Sequence, residues 1–415
     1  MVTFKMVAYL KKKAKPRIAL IIRDLHKLGG AQLNSIRLAS RLRQMGHEVL
    51  IIGYGTRKKV SDYFSRYGIE TDLLTCLIPP PDTGLRKILN RWPNIFFLVP
   101  CLFQLWKRRS QYDLVHGSLL MESGMVCAFA AMLFHKPSLV KLGSAGIYGD
   151  VQRAYKNSLK RLLKKLYTHI NKFVCLTHEI EIELSTSLGI NNIKLIRIPN
   201  GVDIDFYFPA TEEEKLKLKR SFGLDKHGTL ALFAGRLEVK KRLNFLLDAW
   251  RIVCQDNNNH PHLVIIGEGS LRKELDEYVH KLKLDRRVTF YGESGEIASL
   301  MRAADIFILP SVSEGIANVL LESMATALPI VATDTVGNNE ILAHRKSALL
   351  FSENRRDKLA ESILYLLKNP ESAQKIGAAG RKTVEKKYCI QRIAEAYSAL
   401  YLKLIECSAR AAGRL

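Results

Sequence analysis

The sequence has no Cys-x-x-Cys pair, although it contains seven cysteines, at positions 76, 101, 127, 175, 254, 389 and 407. Cysteines scattered in this way argue against a disulfide framework and a zinc site, and they suit a reducing compartment. No run reaches the roughly 18 apolar residues that a membrane-spanning helix needs. The first residues, MVTFKMVAYLKKKAKPR, lack the long apolar segment of a secretory signal. We therefore expect a cytoplasmic protein.

The common nucleotide-binding loops are missing as well. The pattern G-x-G-x-x-G does not occur, which makes a dinucleotide site less expected. The pattern G-x-x-x-x-G-K-[ST] is also absent, so the chain is not a P-loop NTPase. There is no internal repeat and no low-complexity tract.

The chain is long and strongly basic. Its 415 residues exceed one ordinary core and predict two domains, and 47% apolar with 25% charged residues is typical of a globular protein. Residues 1–205 contain 32 Lys and Arg against 14 Asp and Glu, a net charge of +18. The remaining residues contain 32 against 26, a net charge of +6. The basic first half leaves nucleic acid, an anionic membrane or an anionic substrate as candidate partners.

Short apolar segments alternate with amphipathic ones throughout the chain. This pattern predicts an α/β protein with parallel sheets covered by helices on both faces. We expect three parts: an N-terminal domain at 1–205 with a basic tail at 1–15, a C-terminal domain at 206–388, and a last helix at 389–415 that can cross back to the first domain. A basic helix is expected at 151–170. The expected strands are 17–25, 48–53, 113–116, 138–142, 173–177, 229–235, 262–269, 288–292, 305–310 and 330–333.

Two glycines follow the first expected strand, in the sequence LGGAQ. Gly29 and Gly30 lie where this strand leads into the first helix, and the amides at a helix N-terminus can bind an anion. A glycine pair at such a turn also has a purely steric use. The site assignment therefore depends on other residues.

The segment GRLEVKKR places two cations at the end of another expected strand. Arg236 follows a glycine there, and Lys241 is expected to open the next helix. Fixed cations at this edge are suited to a diphosphate leaving group, because negative charge develops on it as its bond breaks. Lys240 is interpreted as a solvated residue of the turn.

The segment SEGIANVLLESMATALP keeps two acids in an apolar stretch. Glu314 precedes a helix whose first amides are expected at Gly315, Ile316 and Ala317. A carboxylate beside free amides can hold sugar hydroxyls while the amides face phosphate. Glu322 would then reach the ribose of a nucleotide. The alternative is a solvated loop acid followed by a helix-surface acid.

The order of these motifs gives a specific resemblance. The set LGGAQ, PNGVD, FAGRL, IGEGSLR, VTFYG and ADIFILPSVSEGIANVLLESMATALPIVATD resembles the retaining nucleotide-sugar glycosyltransferases of family 4, of the bacterial polysaccharide and glycolipid type. The resemblance runs from about residue 17 to the last helix, and the block at 304–334 is its most specific part. It implies the GT-B fold, with two doubly wound Rossmann-like domains facing a central cleft.

The resemblance also implies roles for the residues above. Glu314 would contact the donor sugar, Glu322 the ribose, and Arg236 and Lys241 the diphosphate. Gly29 and Gly30 would close over the diphosphate from the other domain. The implied reaction is transfer of a sugar from a nucleoside diphosphate to an acceptor hydroxyl with retention, without a metal or another cofactor.

The sequence departs from the family pattern at several positions. Ile316 and Ala317 stand where members often have an aromatic residue and Gly or Pro, and Gln32 replaces a frequent acid. A further departure concerns the His-x-His that many members have after the strand at 113–116.

Here that pattern reads His116-Gly117-Ser118, so the possible sugar or acceptor contacts are His116 and Ser118. His116 can equally be a buried histidine at a strand end. Asp203-Ile204-Asp205 is interpreted as part of a turn, and not as a metal site, because it follows Asn-Gly.

Two basic features of the first half suggest a membrane surface. An apolar run at 85–109 has Trp92 and Trp106 near its ends and basic clusters outside them, and the helix at 152–172 is rich in Lys and Arg. We expect a glycan or lipid-linked acceptor, no nucleic-acid partner, and a peripheral location on the inner face of the cell membrane. The alternative to the membrane surface is a core helix with a solvated basic face.

The function also has two alternatives. One is a nucleotide-sugar epimerase of similar fold, and the other is a non-catalytic binder of a membrane or of nucleic acid.

Overall fold

The computed structural model describes residues 15–25, 29–55, 74–77, 93–146, 149–156, 160–226, 228–255, 261–312, 314–411 and 413. The chain forms two compact units. Unit 1 consists of Met1–Gly201 and Ile390–Leu415, and unit 2 of Val202–Cys389. The boundaries expected from sequence lay at 205/206 and 388/389. Of the basic tail expected at 1–15, residues 1–14 lie outside the described residues.

Unit 1 contains a sheet of seven parallel strands in the order β3-β2-β1-β4-β5-β6-β7. Its strands are β1 Arg17–Asp24, β2 Glu48–Tyr54, β3 Leu74–Leu77, β4 Leu114–Ser118, β5 Ser138–Leu142, β6 Lys172–Cys175 and β7 Leu195–Arg197. The helices that precede residue 201 are α1 Gly30–Gln44, α2 Pro93–Lys107, α3 Glu122–Phe134, α4 Asp150–Tyr155, α5 Lys160–Tyr167 and α6 His178–Leu188. Strands β4 and β5 are buried throughout, and β1 is buried from Ile18 to Ile22, as their apolar sequences predict.

Unit 2 contains a sheet of six parallel strands in the order β10-β9-β8-β11-β12-β13. Its strands are β8 Leu230–Ala234, β9 His262–Ile266, β10 Val288–Gly292, β11 Ile306–Leu309, β12 Ile330–Thr333 and β13 Leu349–Phe351. Its helices are α7 Glu212–Ser221, α8 Leu243–Gln255, α9 Arg272–Lys281, α10 Ile297–Ala303, α11 Asn318–Ala325, α12 Val336–Asn339, α13 Arg356–Lys368 and α14 Pro370–Lys387. Two parallel sheets with intervening helices are the α/β architecture that the sequence predicted.

The predicted basic helix at 151–170 is wrong as a single element. The structure has α4 and α5 instead, and residues 157–159 between them are not among those described. Helix α4 ends at Tyr155, and Lys156 is its C-cap, whose amide donates to Gln152 O at 2.9 Å. Throughout the parts of the chain that the structure describes, no helix is both long enough and apolar enough to cross a membrane.

The last helix, α15 (Ile390–Ala411), packs in unit 1 against α1. Two buried histidines hydrogen-bond to its hydroxyl groups: His116 Nδ1 lies 2.8 Å from Tyr401 OH, and His47 Nε2 lies 2.9 Å from Ser398 Oγ. The His116 ring also stacks on Tyr397, with ring centroids 5.3 Å apart. His116 therefore belongs to the core of unit 1.

Burial, together with a smaller contribution from the charge of Lys141, lowers the pKa of His116 to about 3. Below about pH 6.5 the histidine takes up a proton in the unfolded chain but stays neutral in the folded one, so stability falls as the pH decreases. The limiting slope is about 1.4 kcal/mol for each pH unit. We predict that the free energy of unfolding of the wild type decreases more between pH 7 and pH 5 than that of His116→Phe, in denaturant titrations. Equal decreases in the two proteins would contradict this account.

Candidate active site

The sheet of unit 2 has one topological switch point, between β8 and β11. From β8 the chain continues to β9 and β10 on one side, and from β11 it continues to β12 and β13 on the other. In open α/β sheets ligands bind beyond the carboxyl ends of the strands at this point. The described loop residues there are 235–242 after β8, and 310–312 and 314–317 after β11. Arg236 and Lys241 in the first loop are therefore brought close to Glu314, which lies 73 residues after Lys241.

Glycines bring the loops at this edge into backbone contact. Gly235 N donates to Ile266 O at 3.0 Å, and a Cβ on Gly267 would lie 2.0 Å from Gly235 O. A Cβ on Gly337, in α12, would lie 2.3 Å from Glu314 O and 2.2 Å from Gly315 O. A side chain at either position would push the neighbouring loop away. The position of Glu314 thus depends on the glycine that α12 presents to it.

Lys241 and Glu314 form an ion pair that is largely withdrawn from water. The side chains are only 10% and 14% exposed, and Lys241 Nζ donates directly to Glu314 Oε1. Breaking a buried pair by removing one partner is costly, because the remaining charge is then buried without compensation. The pair fixes both side chains at the switch point.

The sequence predicted that Lys241 would be the first residue of helix α8, and this prediction is wrong. Lys241 ends a 3-10 turn, Val239–Lys241, and α8 begins two residues later at Leu243. The amides of Lys241 and Arg242 donate to carbonyls three residues back, and Arg242 then takes a left-handed conformation with φ of 52°. This tight turn brings Lys241 to Glu314.

The loop that carries Lys241 also contains the cations Arg236 and Lys240. Arg236 is 62% exposed and pairs with Glu238 at 2.7 Å. Lys240 is half-buried; burial lowers its pKa, whereas the nearby Glu314 carboxylate raises it. Sequence reasoning interpreted Lys240 as a solvated residue of the turn, and its burial corrects that. Exposed and buried cations together give this edge a local positive charge suited to an anion.

Helix α11 begins later than predicted. Its first residue is Asn318, and Ala317 is its N-cap with an extended backbone (φ −71°, ψ 117°). Gly315, Ile316 and Ala317 therefore lie in the loop before the helix, and their amides are not its first amides. Glu322 lies in the second turn of α11 and is buried, which contradicts the alternative of a helix-surface acid.

The sheet of unit 1 has a matching switch point between β1 and β4. Gly29 is the N-cap of α1 and Gly30 its first residue, so both lie at the carboxyl edge, and residues 26–28 before them are outside the described set. Ser118 ends β4, and its hydroxyl lies 2.9 Å from Ser35 Oγ. Both Ser118 and His116 are buried, and His116 packs against α15. Their burial gives no support to the prediction that they contact a sugar.

Sequence reasoning missed a buried lysine near this edge. Lys141, the penultimate residue of β5, donates from Nζ to Asn34 Oδ1 at 2.6 Å, and Asn34 Nδ2 donates to Gly201 O at 3.1 Å. Burial lowers the pKa of Lys141 to about 7. The one signal was a charged residue within the apolar strand SLVKL.

Asp203 occupies a turn. Its Oδ1 accepts hydrogen bonds from the amides of Asp205 at 3.0 Å and Phe206 at 3.2 Å, which is the usual local role of an aspartate in a turn.

Comparisons with known proteins agree with this architecture. Residues 28–206 match the family model "Glycosyltransferase Family 4", and residues 214–383 match "Glycosyl transferases group 1". The chain is 26% identical over 276 residues to the UDP-Gal:alpha-D-GlcNAc-diphosphoundecaprenol alpha-1,3-galactosyltransferase of Escherichia coli, covering 63% of this chain and 69% of that protein. It is 24% identical over 390 residues to an uncharacterized glycosyltransferase of Haemophilus influenzae, covering 92% and 99%.

Solved structures show the same fold. The crystal structure of Anabaena HepE in complex with UDP superposes with a TM-score of 0.76 at 19% identity, covering 93% of this chain and all of that one. WaaG, a glycosyltransferase involved in lipopolysaccharide biosynthesis, gives a TM-score of 0.71 at 16% identity, covering 92% and 99%. The chain therefore belongs to the glycosyltransferases of the GT-B fold, with a family 4 domain followed by a group 1 domain.

We predict that Gly337→Ala lowers the rate of donor turnover at least tenfold. The added methyl group would overlap the backbone of Glu314 and Gly315, and a displacement of about 1 Å at a reacting site can cost roughly 100-fold. Gly380→Ala is the matched control, because its Cβ would lie 3.6 Å from Met324 Cγ, an ordinary contact. Turnover of folded Gly337→Ala at the wild-type rate would show that this backbone contact does not position Glu314.

Proposed function

We propose that the chain transfers a hexose from a UDP-sugar to a hydroxyl of a lipid-linked or polysaccharide glycan, with retention and without a metal. The observation that carries this proposal is the convergence of Lys241, Glu314 and Arg236 at the switch point of unit 2. UDP is favoured because the similar galactosyltransferase is named for a UDP-sugar and the similar HepE was crystallised with UDP. Retention is proposed from the resemblance to the retaining enzymes of family 4.

The cations would stabilise the leaving diphosphate. A lysine ammonium has three donors, and Lys241 gives one of them to Glu314, so two remain for phosphate oxygens. The exposed guanidinium of Arg236 can bind a phosphate with two parallel hydrogen bonds. Fixed positive charge of this kind acts on the charge that develops as the sugar–phosphate bond breaks.

The two acids would hold the sugars of the donor. Ionised carboxylates only accept hydrogen bonds, so they suit the hydroxyl groups of a hexose or a ribose. We assign the donor sugar to Glu314, beside the phosphate-binding cations, and the ribose to Glu322 on α11. Gly29 and Gly30, at the N-terminus of α1, are proposed as a further anion contact, and Gly315, Ile316 and Ala317 as loop contacts to the donor.

The proposal is tested by turnover of UDP- and GDP-sugars with the full chain, with and without EDTA. We expect release of UDP that survives EDTA, and a product whose anomeric proton coupling in NMR spectra matches that of the donor. An altered sugar formed without an acceptor would indicate an epimerase instead. No turnover of any donor would favour a non-catalytic binder.

Two substitutions separate catalysis from binding. Arg236→Ala should lower kcat by roughly 100- to 1000-fold, the scale for losing one transition-state charge stabiliser. Glu322→Ala should instead weaken UDP binding, by about 1.5–3 kcal/mol for a charged hydrogen-bond acceptor, in calorimetric titrations. Lys273→Ala, a surface cation 92% exposed on α9, is the control. Unchanged UDP affinity in folded Glu322→Ala would refute the ribose assignment.

We also propose that unit 1 binds an anionic membrane. Helices α2 and α3 pack against each other and expose large apolar side chains: Phe103 is 55%, Trp106 51% and Leu133 59% exposed. The core-helix alternative accounts for only one side of α2, because Phe97, Cys101 and Leu105 are buried. Trp92, the other tryptophan of the prediction, lies outside the described residues.

Basic residues accompany this apolar face. Arg109 lies over the ring of Trp106 at 5.4 Å, and Leu162 of α5, which α3 contacts, is exposed among lysines. Each basic residue near an anionic surface contributes about 1 kcal/mol, and this attraction decays within about 8–10 Å at physiological salt. An apolar face with a basic margin suits the interface of a bilayer, and it would bring the enzyme to a lipid-linked acceptor on the inner face of the cell membrane.

Vesicle sedimentation checks this proposal. The full chain should sediment with vesicles that contain anionic lipid, less at high salt, and not with neutral vesicles. Changing four basic residues of α5 to Ser should weaken the binding at least tenfold, whereas four exposed lysines of unit 2 serve as the charge-matched control. The first set is Lys160, Arg161, Lys164 and Lys165, and the control set is Lys217, Lys273, Lys281 and Lys386. Failure of the wild type to bind anionic vesicles at low salt would refute the membrane proposal alone.

A further inference from the structure

The chain enters and leaves unit 2 at two adjacent points. Unit 2 begins at Val202 and ends at Cys389, and these two residues form a parallel bridge. The amide of Val202 also donates to Tyr388 O at 2.9 Å. We call residues 202–208 the crossing segment, because they are the first part of unit 2 after the chain leaves unit 1.

One arginine joins the crossing segment to the helix that carries Glu322. Arg381, on α14, donates from Nη1 to Ile204 O at 3.2 Å, Tyr207 O at 2.8 Å and Ala325 O at 2.6 Å. Ile204 and Tyr207 belong to the crossing segment, and Ala325 is the last residue of α11. A carbonyl at a helix C-terminus lacks an intrahelical partner and carries partial negative charge, so a cation stabilises it.

Close packing fixes Arg381 at this place. A Cβ on Gly377, one turn before Arg381 on α14, would lie 2.0 Å from Ala327 O, so α14 touches the chain just after α11. The Arg381 side chain is 18% exposed, and its Nε donates to Glu385 Oε1 at 2.6 Å. The charged group is therefore held between two segments that are otherwise separate in the sequence.

A second bond supports the same connection. Tyr388 OH donates to Glu340 O at 3.0 Å, just after α12, the helix whose Gly337 touches the backbone of Glu314. Both segments that position the acids of the candidate active site, α11 and α12, are thus bonded to residues beside the points where the chain crosses.

We propose that Arg381 is a positioning residue that couples nucleotide binding at α11 to the crossing segment. Ordering of α11 by a ligand on Glu322 would be transmitted through the shared guanidinium to Ile204 and Tyr207. The ligand half of this proposal rests on the proposed function, because it needs a nucleotide at Glu322. The structural half, that Arg381 ties the two segments together, does not.

Hydrogen exchange of the full chain tests both halves. The reporter amides of α11 lie just after its last residue, and both donate to carbonyls of the helix. They are Thr326, bonded to Glu322 O, and Leu328, bonded to Ser323 O. In the crossing segment they are Phe206, bonded to Asp203 Oδ1, and Tyr207, bonded to Asp203 O. Without ligand, Arg381→Gln should speed exchange at both sets at least fivefold. Glu385→Gln, which removes only the negative charge of the exposed partner of Arg381, should leave both sets within twofold, and Arg381→Lys should restore part of the protection.

Saturating UDP should slow exchange in the wild type at both sets of reporter amides. In Arg381→Gln, UDP should slow exchange only at the reporter amides of α11. Slower exchange at α11 alone in the wild type would overturn the coupling and leave nucleotide binding intact. No effect of UDP at α11 would count against the proposed function, and the ligand-free comparison would still decide the structural half. If Arg381→Gln leaves either set unchanged without ligand, the tie itself is refuted.

Discussion

The candidate active site depends on backbone contact between loops at the carboxyl edge of the second sheet. Gly267 and Gly337 lack the Cβ that would separate these loops from their neighbours. Because the loops touch, the cations after β8 and the acid after β11 meet in one place, and Lys241 can neutralise Glu314 out of contact with most water. A buried ion pair repays its desolvation only with good geometry, so the pair relies on the glycines that set that geometry.

Much of the fold was predictable because the strands are apolar and the helices amphipathic. Strands β5, β10 and β12 were confirmed with the boundaries predicted for them. Three strands were missed: β3, β7 and β13. They are three or four residues long and lie at sheet edges, where too few positions exist to show a pattern.

The site was predictable in composition but not in local geometry. The sequence predicted that Arg236 would follow the end of a strand, that Lys241 would open the next helix and that Glu314 would precede a helix. The strand order, which places β8 beside β11, brings these residues together. It could not predict the 3-10 turn that ends at Lys241 or the late start of α11, because both depend on hydrogen bonds and backbone angles set by packing. The roles of Lys141 and Arg381 were not predicted for another reason. Each binds carbonyl or amide oxygens of residues far away in sequence, and no local sequence pattern indicates such a partner.

These two residues share a role in their separate units. In unit 1, Lys141 holds Asn34, which in turn holds Gly201 O, the last carbonyl before the chain enters unit 2. In unit 2, Arg381 holds Ile204 O and Tyr207 O just after that point. A connection between domains would ordinarily be a solvated, flexible segment. Here each side of it is held by a cation, directly or through an amide. Lys141 lies at the carboxyl edge of the first sheet, whereas Arg381 reaches the C-terminal end of α11. The chain on both sides of the crossing is therefore tied to the helices and strands of its own unit.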